Sequence, residues 1–212
     1  RGALSKDDLR EIQAYAKEWF VTIIPGFELL GHMDNMLLDE DLMKYAEFPG
    51  AQCFNVSDPA TKVFVRDLIQ ELAPVFETKM FAPICDESFD FGLRRSRDYV
   101  EKKGWGKALA EWYLFLIEEI QKAGKEIVLF AHDILINDEH VMKTIQKHNA
   151  VVYYWEYSIK KKYPKIDKLK DQGLTVVGGP AVFDWSRHYP YSDYAEQNTI
   201  NMAKDAMKRG LI

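Results

Sequence analysis

Apolar residues recur three and four apart near the start of the chain. Leu9, Ile12, Ala16 and Trp19 share one face, and Ser5, with Asp8 three residues on, supplies a cap. This spacing predicts a helix over about Lys6 to Trp19. The pattern then changes to a β-branched run, Val21 to Ile24, which predicts a strand stopped by Pro25 and Gly26. Met33 to Gln52 is acidic and aromatic without a sustained period, a long loop with a short helix near Asp39 to Tyr45. Asp58 and Pro59 open a second amphipathic segment whose apolar face is Phe64, Leu68, Leu72 and Val75, and Pro74 marks its end.

The apolar run in MFAPICDESFDFG, Met80 to Gly92, predicts a buried strand that ends in two adjacent acids. A loop with Arg94, Arg95 and Arg97 leads to a helix over about Lys107 to Lys122, with Trp112, Leu116 and Ile120 in one stripe and Gly124 as its stop. EIVLFAHDIL, AVVYYWEYS and LTVVGG predict three more strands, alternating with helices near Asp138 to His148, Ile166 to Gln172 and Tyr194 to Arg209. Leu211 and Ile212 look like the opening of another strand.

Alternating strands and helices predict a parallel sheet with helices outside, either doubly wound or a (β/α) barrel. The long loops after the strands carry the His, Asp, Glu and Trp residues, and that one-sided loading favours the barrel. A closed barrel of this type needs eight strands, whereas about five are visible. The expected fold is therefore α/β, a TIM-type barrel with five to six of its eight βα units, and residues 1–212 form one domain or a fragment of one. A further segment or a second chain would complete it.

A net charge of −5 argues against a nucleic-acid partner. No 18-residue apolar run exists to span a membrane. The two cysteines, Cys53 and Cys85, form neither a CxxC pair nor a disulfide framework. No secretory signal is visible, but the chain opens on Arg1, which leaves the compartment open.

The candidate chemistry centres on Asp86 and Glu87. Neighbouring strand residues point to opposite faces, so both acids reach one pocket only if the strand ends there. A Glu in a partly apolar pocket can stay protonated as a general acid beside an Asp that remains ionised; two solvated loop acids are the plain alternative. Trp155 and Tyr157 end one strand, Trp185 follows the next, and Asp133, Glu156 and Asp184 sit at strand ends. Aromatic faces with a rim of polar groups suit a sugar ring, although core or lid packing is the competing explanation. His32, His132 and His188 also fall at strand ends, but no HxH, HExxH or close Cys/His spacing supports a metal, and no cofactor motif appears.

PGFELLGHMDN, DPATKVFVRDLIQELAPVF, CDES with FDFG, then AHDIL, YWEYS and GGPAVFDW resemble glycoside hydrolase family 20, the β-N-acetylhexosaminidases, closest to a bacterial branch. The resemblance implies a (β/α)8 barrel that removes terminal β-linked N-acetylglucosamine or N-acetylgalactosamine by a substrate-assisted, retaining mechanism. It implies Glu87 as acid and base, Asp86 as the group orienting the substrate acetamide, and Tyr157 as donor to the acetamide oxygen. Trp155 and Trp185 would wall the pocket; His32, Asp133 and Asp184 would contact sugar or hold the acids. The family's first two strands and its eighth have no counterpart here. An inactive carbohydrate-binding barrel and a different TIM-barrel hydrolase remain the alternatives.

Overall fold

The computed structural model describes residues 3–135, 138–183, 185 and 188–211. Its centre is a parallel sheet in the order β1–β2–β3–β4, formed by Met80–Ile84, Ile127–Ala131, Val151–Trp155 and Thr175–Gly179. Strands in simple sequence order, all parallel and joined by helices, form the arc of a barrel rather than a doubly wound sheet, whose order would reverse.

The predicted strand over Val21–Ile24 does not form. The chain meets β1 a few residues later, where Ala82 N donates to Pro25 O at 2.9 Å, Phe27 N to Ala82 O at 2.9 Å and Leu29 N to Pro83 O at 3.2 Å. β-Branched propensity marked the wrong four residues because pairing with β1, not propensity, selects the segment. Residues 25–29 thus lie along the free edge of β1 and carry the chain into the loop at His32.

Helix α1 (Lys6–Glu18) starts where the pattern places it: Asp8 N donates to Ser5 Oγ and Ser5 N to the Asp8 carboxylate, a reciprocal cap. A short α2 (Asp34–Leu37) and a 3₁₀ turn (Met43–Tyr45) replace the single helix expected between Asp39 and Tyr45. Asp58 caps α3 (Pro59–Leu72), with Pro59 at its first position. α4 (Arg97–Lys103) was not anticipated; it leads into α5 (Trp105–Lys122). β2 runs directly into the short α6 (His132–Leu135), followed by α7 (Glu139–Lys147), α8 (Lys165–Asp171) and α9 (Ser192–Lys208). Leu211 closes α9, its N–H bonded to Ala206 O; Ile212 lies outside the described residues.

The two faces of the sheet differ. Phe81, Val128, Phe130, Val152, Tyr154 and Val176 are buried under the helices. The opposite face is apolar and concave but uncovered, a groove of about 480 Å³ lined by residues such as Met80, Ile84, Ile127, Leu129, Tyr153 and Val177. In a closed barrel this face is the packed interior.

Candidate active site

The two acids leave β1 through a distorted stretch. Between Phe81 and Ile84 the register with β2 slips by one residue, and Pro83 has no N–H to give the ladder. Ile84, Cys85 and Glu87 then take φ values of 53°, 62° and 42°. Non-glycine residues, and a β-branched one above all, adopt this left-handed region only when the surroundings impose it. The twist cancels the alternation of side chains, so Asp86 and Glu87 both reach one point. His32 Nε2 lies 3.2 Å from Glu87 Oε2 and 3.6 Å from Asp86 Oδ1. His32 itself has φ 52°.

Close backbone approach makes the convergence possible. A Cβ added at Gly31 would meet the Asp86 carbonyl oxygen closer than 3.0 Å and the Ser88 Cα at 3.2 Å, so the Gly-His loop lies flat against the acid loop only with glycine there. From below, two α5 side chains fix both loops: Trp112 Nε1 donates to Leu29 O at 3.0 Å and Tyr113 Oη to Cys85 O at 3.1 Å. Trp112 was legible as a core stripe; that it also holds the site was not.

Asp133, in α6, accepts from Glu87 N at 2.8 Å. Its pKa is raised, chiefly by burial, with the Glu87 N–H working against the shift and the Asp86 charge adding to it. Gln52 Nε2 donates to Glu87 O at 3.1 Å, and Gln52 N donates to Asp90 at 2.8 Å. Deeper still, the buried Glu47 accepts from Gly92 N and Ser96 N, both at 2.9 Å, and from Ser96 Oγ. These contacts tie the acid loop to the long loop at both ends.

A second carboxyl that burial pushes up is Glu28, which sequence reading passed over. Burial first, and the neighbouring Asp86 charge second, raise it to about 9. Glu28 also accepts from Cys85 N at 3.1 Å. The available signal was a lone acid inside the apolar run PGFELLG.

The aromatics assemble beside the acids. Trp155 and Tyr157 stack with centroids 5.0 Å apart and planes 19° apart, and Trp185 meets Tyr157 at 4.7 Å. Burial, with the charges of Asp86, Glu87 and Asp133 adding to it, pushes the Tyr157 phenol up to about 12, so it is a hydrogen-bond donor throughout the neutral range. Asp184 lies outside the described residues. Three other sequence candidates do not join the cluster. Glu156 pairs with Lys160 and caps Ser158 N. His188 is exposed. His132 is buried behind Trp155, 4.9 Å between ring centroids, and burial lowers its pKa to about 4. Among the described residues, no three His, Cys, Asp or Glu side chains are grouped to hold a metal ion.

The chain is similar to several known proteins. The beta-hexosaminidase subunit A1 of Dictyostelium discoideum is 33% identical over 88 residues, 39% of this chain and 16% of the relative. The beta-hexosaminidase A of Caenorhabditis elegans is 23% identical over 197 residues, 84% of this chain and 34% of the relative. The solved exo beta-N-acetylglucosaminidase of Vibrio harveyi, in complex with N-acetylglucosamine, superposes with a TM-score of 0.66 at 18% identity, covering 83% of this chain and 28% of that one. The chain therefore spans about a third or less of these relatives, and the sheet described above is an arc of their barrel. The model of the family's catalytic domain matches residues 1–208, nearly end to end, and on that match the chain belongs to glycosyl hydrolase family 20.

Proposed function

We propose that this chain carries the acid–base centre of a β-N-acetylhexosaminidase of a bacterial type, which removes terminal β-linked N-acetylglucosamine or N-acetylgalactosamine with retention of configuration. The observation that carries the reading is the convergence of Asp86 and Glu87 on His32 Nε2, beside the Trp155–Tyr157–Trp185 stack. An acid able to reach a leaving oxygen, a second acid beside it and an aromatic wall are the parts this chemistry needs.

In the first step Glu87 gives its proton to the glycosidic oxygen as the bond from that oxygen to the anomeric carbon breaks. The substrate's own acetamide oxygen attacks that carbon from the opposite face, forming an oxazolinium ion. Asp86 faces the acetamide N–H, orients it and stabilises the positive charge. Tyr157 donates to the acetamide oxygen. In the second step Glu87, now a carboxylate, takes a proton from water, which opens the ring and regenerates the acetamide. Asp133 holds the Glu87 backbone through its 2.8 Å bond, and His32, 3.2 Å away, orients the Glu87 carboxyl. Trp155 and Trp185 wall the sugar, and Asp184 binds its hydroxyls.

The uncovered apolar face of the sheet supports one more element of the reading: further strands, from another segment or a second chain, close the barrel over it. The test of the activity is comparative hydrolysis of p-nitrophenyl β-N-acetylglucosaminide and p-nitrophenyl β-glucoside. Only the first carries the internal nucleophile, so turnover should be confined to it. Equal turnover of the two would overturn the substrate-assisted reading, and binding of N-acetylglucosamine without turnover of either would favour an inactive carbohydrate-binding barrel.

A further inference from the structure

We propose that Glu28 is a positioning residue that holds Asp86 in place by donating a shared proton to it; this rests on the reading of Asp86 as the group that orients the acetamide. Glu28 sits on residues 25–29, which are fixed on both sides: Phe27 N and Leu29 N donate to β1, and Leu29 O receives Trp112 Nε1. One carboxyl oxygen accepts from Cys85 N at 3.1 Å, next to Asp86 in the chain. Asp86 Oδ1 is buried and receives no protein donor among the described residues, and the Glu28 carboxyl faces the Asp86 carboxyl. Two carboxylates have only acceptors to offer, so a bond between them exists only if one of them carries a proton.

The surroundings decide which one. Facing Glu28 are the Asp86 and Asp133 carboxyls, the Cys85 thiol, and the Tyr113 phenol from α5. Burial pushes both the thiol and the phenol well above their ordinary values, so neither supplies a charge near neutrality. His32 Nε2 lies 3.6 Å from Asp86, beyond direct hydrogen-bond reach. Burial and the Asp86 charge raise Glu28 to about 9, which leaves the proton on Glu28 at neutrality. The neutral acid then fixes the rotation of the Asp86 carboxylate with a charge-assisted bond. Above pH 9 Glu28 ionises, the bond becomes a repulsion, and Asp86 loses its aim.

Two substitutions separate this role from simple packing. Glu28→Gln keeps an acceptor for Cys85 N–H and a permanent donor for Asp86. It should retain kcat within about 3-fold and abolish the alkaline fall of kcat expected of the wild type near pH 9. Glu28→Ala removes the donor and should lower kcat by roughly 100-fold with little change in KM. A Gln variant as impaired as the Ala variant, or an Ala variant with normal kcat, would overturn the proposal. If the wild type turns over no N-acetylhexosaminide, the functional reading itself fails, and the proton is read directly. Carboxyl ¹³C NMR should then show one signal, missing in Glu28→Gln, that stays protonated at pH 7 and titrates near 9. A wild type in which every carboxyl is ionised by pH 6 would overturn the shared proton whatever the activity.

Discussion

Gly31→Ala is the smallest change that should open the site. No left-handed conformation is demanded at this position, so the backbone tolerates alanine and the effect is purely one of approach. The added methyl would lie closer than 3.0 Å to Asp86 O, 3.0 Å from Ser88 Oγ and 3.2 Å from Ser88 Cα. The Ser88 hydroxyl can rotate aside, but the carbonyl and the Cα are backbone. Restoring contact distance moves the acid loop away from His32 by the order of 1 Å, and such a misplacement costs roughly 100-fold in rate. That corresponds to about 2.7 kcal/mol of transition-state stabilisation. The cost in stability is smaller in consequence, about 1–3 kcal/mol for overpacking. The assay is kcat/KM on an aryl N-acetylglucosaminide, with the urea midpoint measured in parallel. Turnover within 3-fold of wild type in a folded variant would refute the claim that this contact sets the distance between His32 and the acids.

Other consequences are as direct. Tyr157→Phe keeps the stack on Trp155 and removes only the hydroxyl, so kcat should fall about 10²–10³-fold while KM stays within a few-fold. Glu47→Ala strips the partner from Gly92 N, Ser96 N and Ser96 Oγ in a buried site, and the urea midpoint should report a loss of about 3 kcal/mol or more. Burial holds His132 at a pKa of about 4, while in the unfolded chain it titrates near 6.5. The unfolded state thus binds the proton first as pH falls. The stability is fully present above pH 6.5 and is lost between 6.5 and 4, on the order of 2–3 kcal/mol. His132→Gln, which stays neutral, should remove that part of the acid sensitivity in urea titrations at pH 7 and pH 4.5.

Periodicity and punctuation carried the arc of the barrel. The stripe on α5, the capping box at Ser5, the Asp58–Pro59 start of α3 and four of the strands are all visible because burial repeats with the period of each element. α4 was missed because RDYVEKK offers a single buried apolar residue, Val100, and its start has no side-chain cap. The Val21–Ile24 strand was misplaced because local propensity is silent about which residues meet an edge. The site was legible in kind, not in construction. Asp86, Glu87, His32 and Tyr157 stand out as chemical groups, but the left-handed turns at Ile84, Cys85 and Glu87 are set by tertiary packing and leave no mark at residues that normally avoid them. Glu28 was passed over for the opposite reason. A lone acid near a loop reads as solvated, and only the approach of Asp86 makes it a proton carrier.

The central claim is that Glu87 supplies the proton to the leaving group. It is tested most directly by Glu87→Gln on two substrates that differ only in the need for that proton. On N,N′-diacetylchitobiose, whose leaving oxygen must be protonated, kcat/KM should fall by about 10²–10⁴-fold. On 2,4-dinitrophenyl β-N-acetylglucosaminide, whose leaving group departs as an anion, the loss should be at least about tenfold smaller. Equal losses on the two substrates, or no loss on the disaccharide, would contradict the assignment.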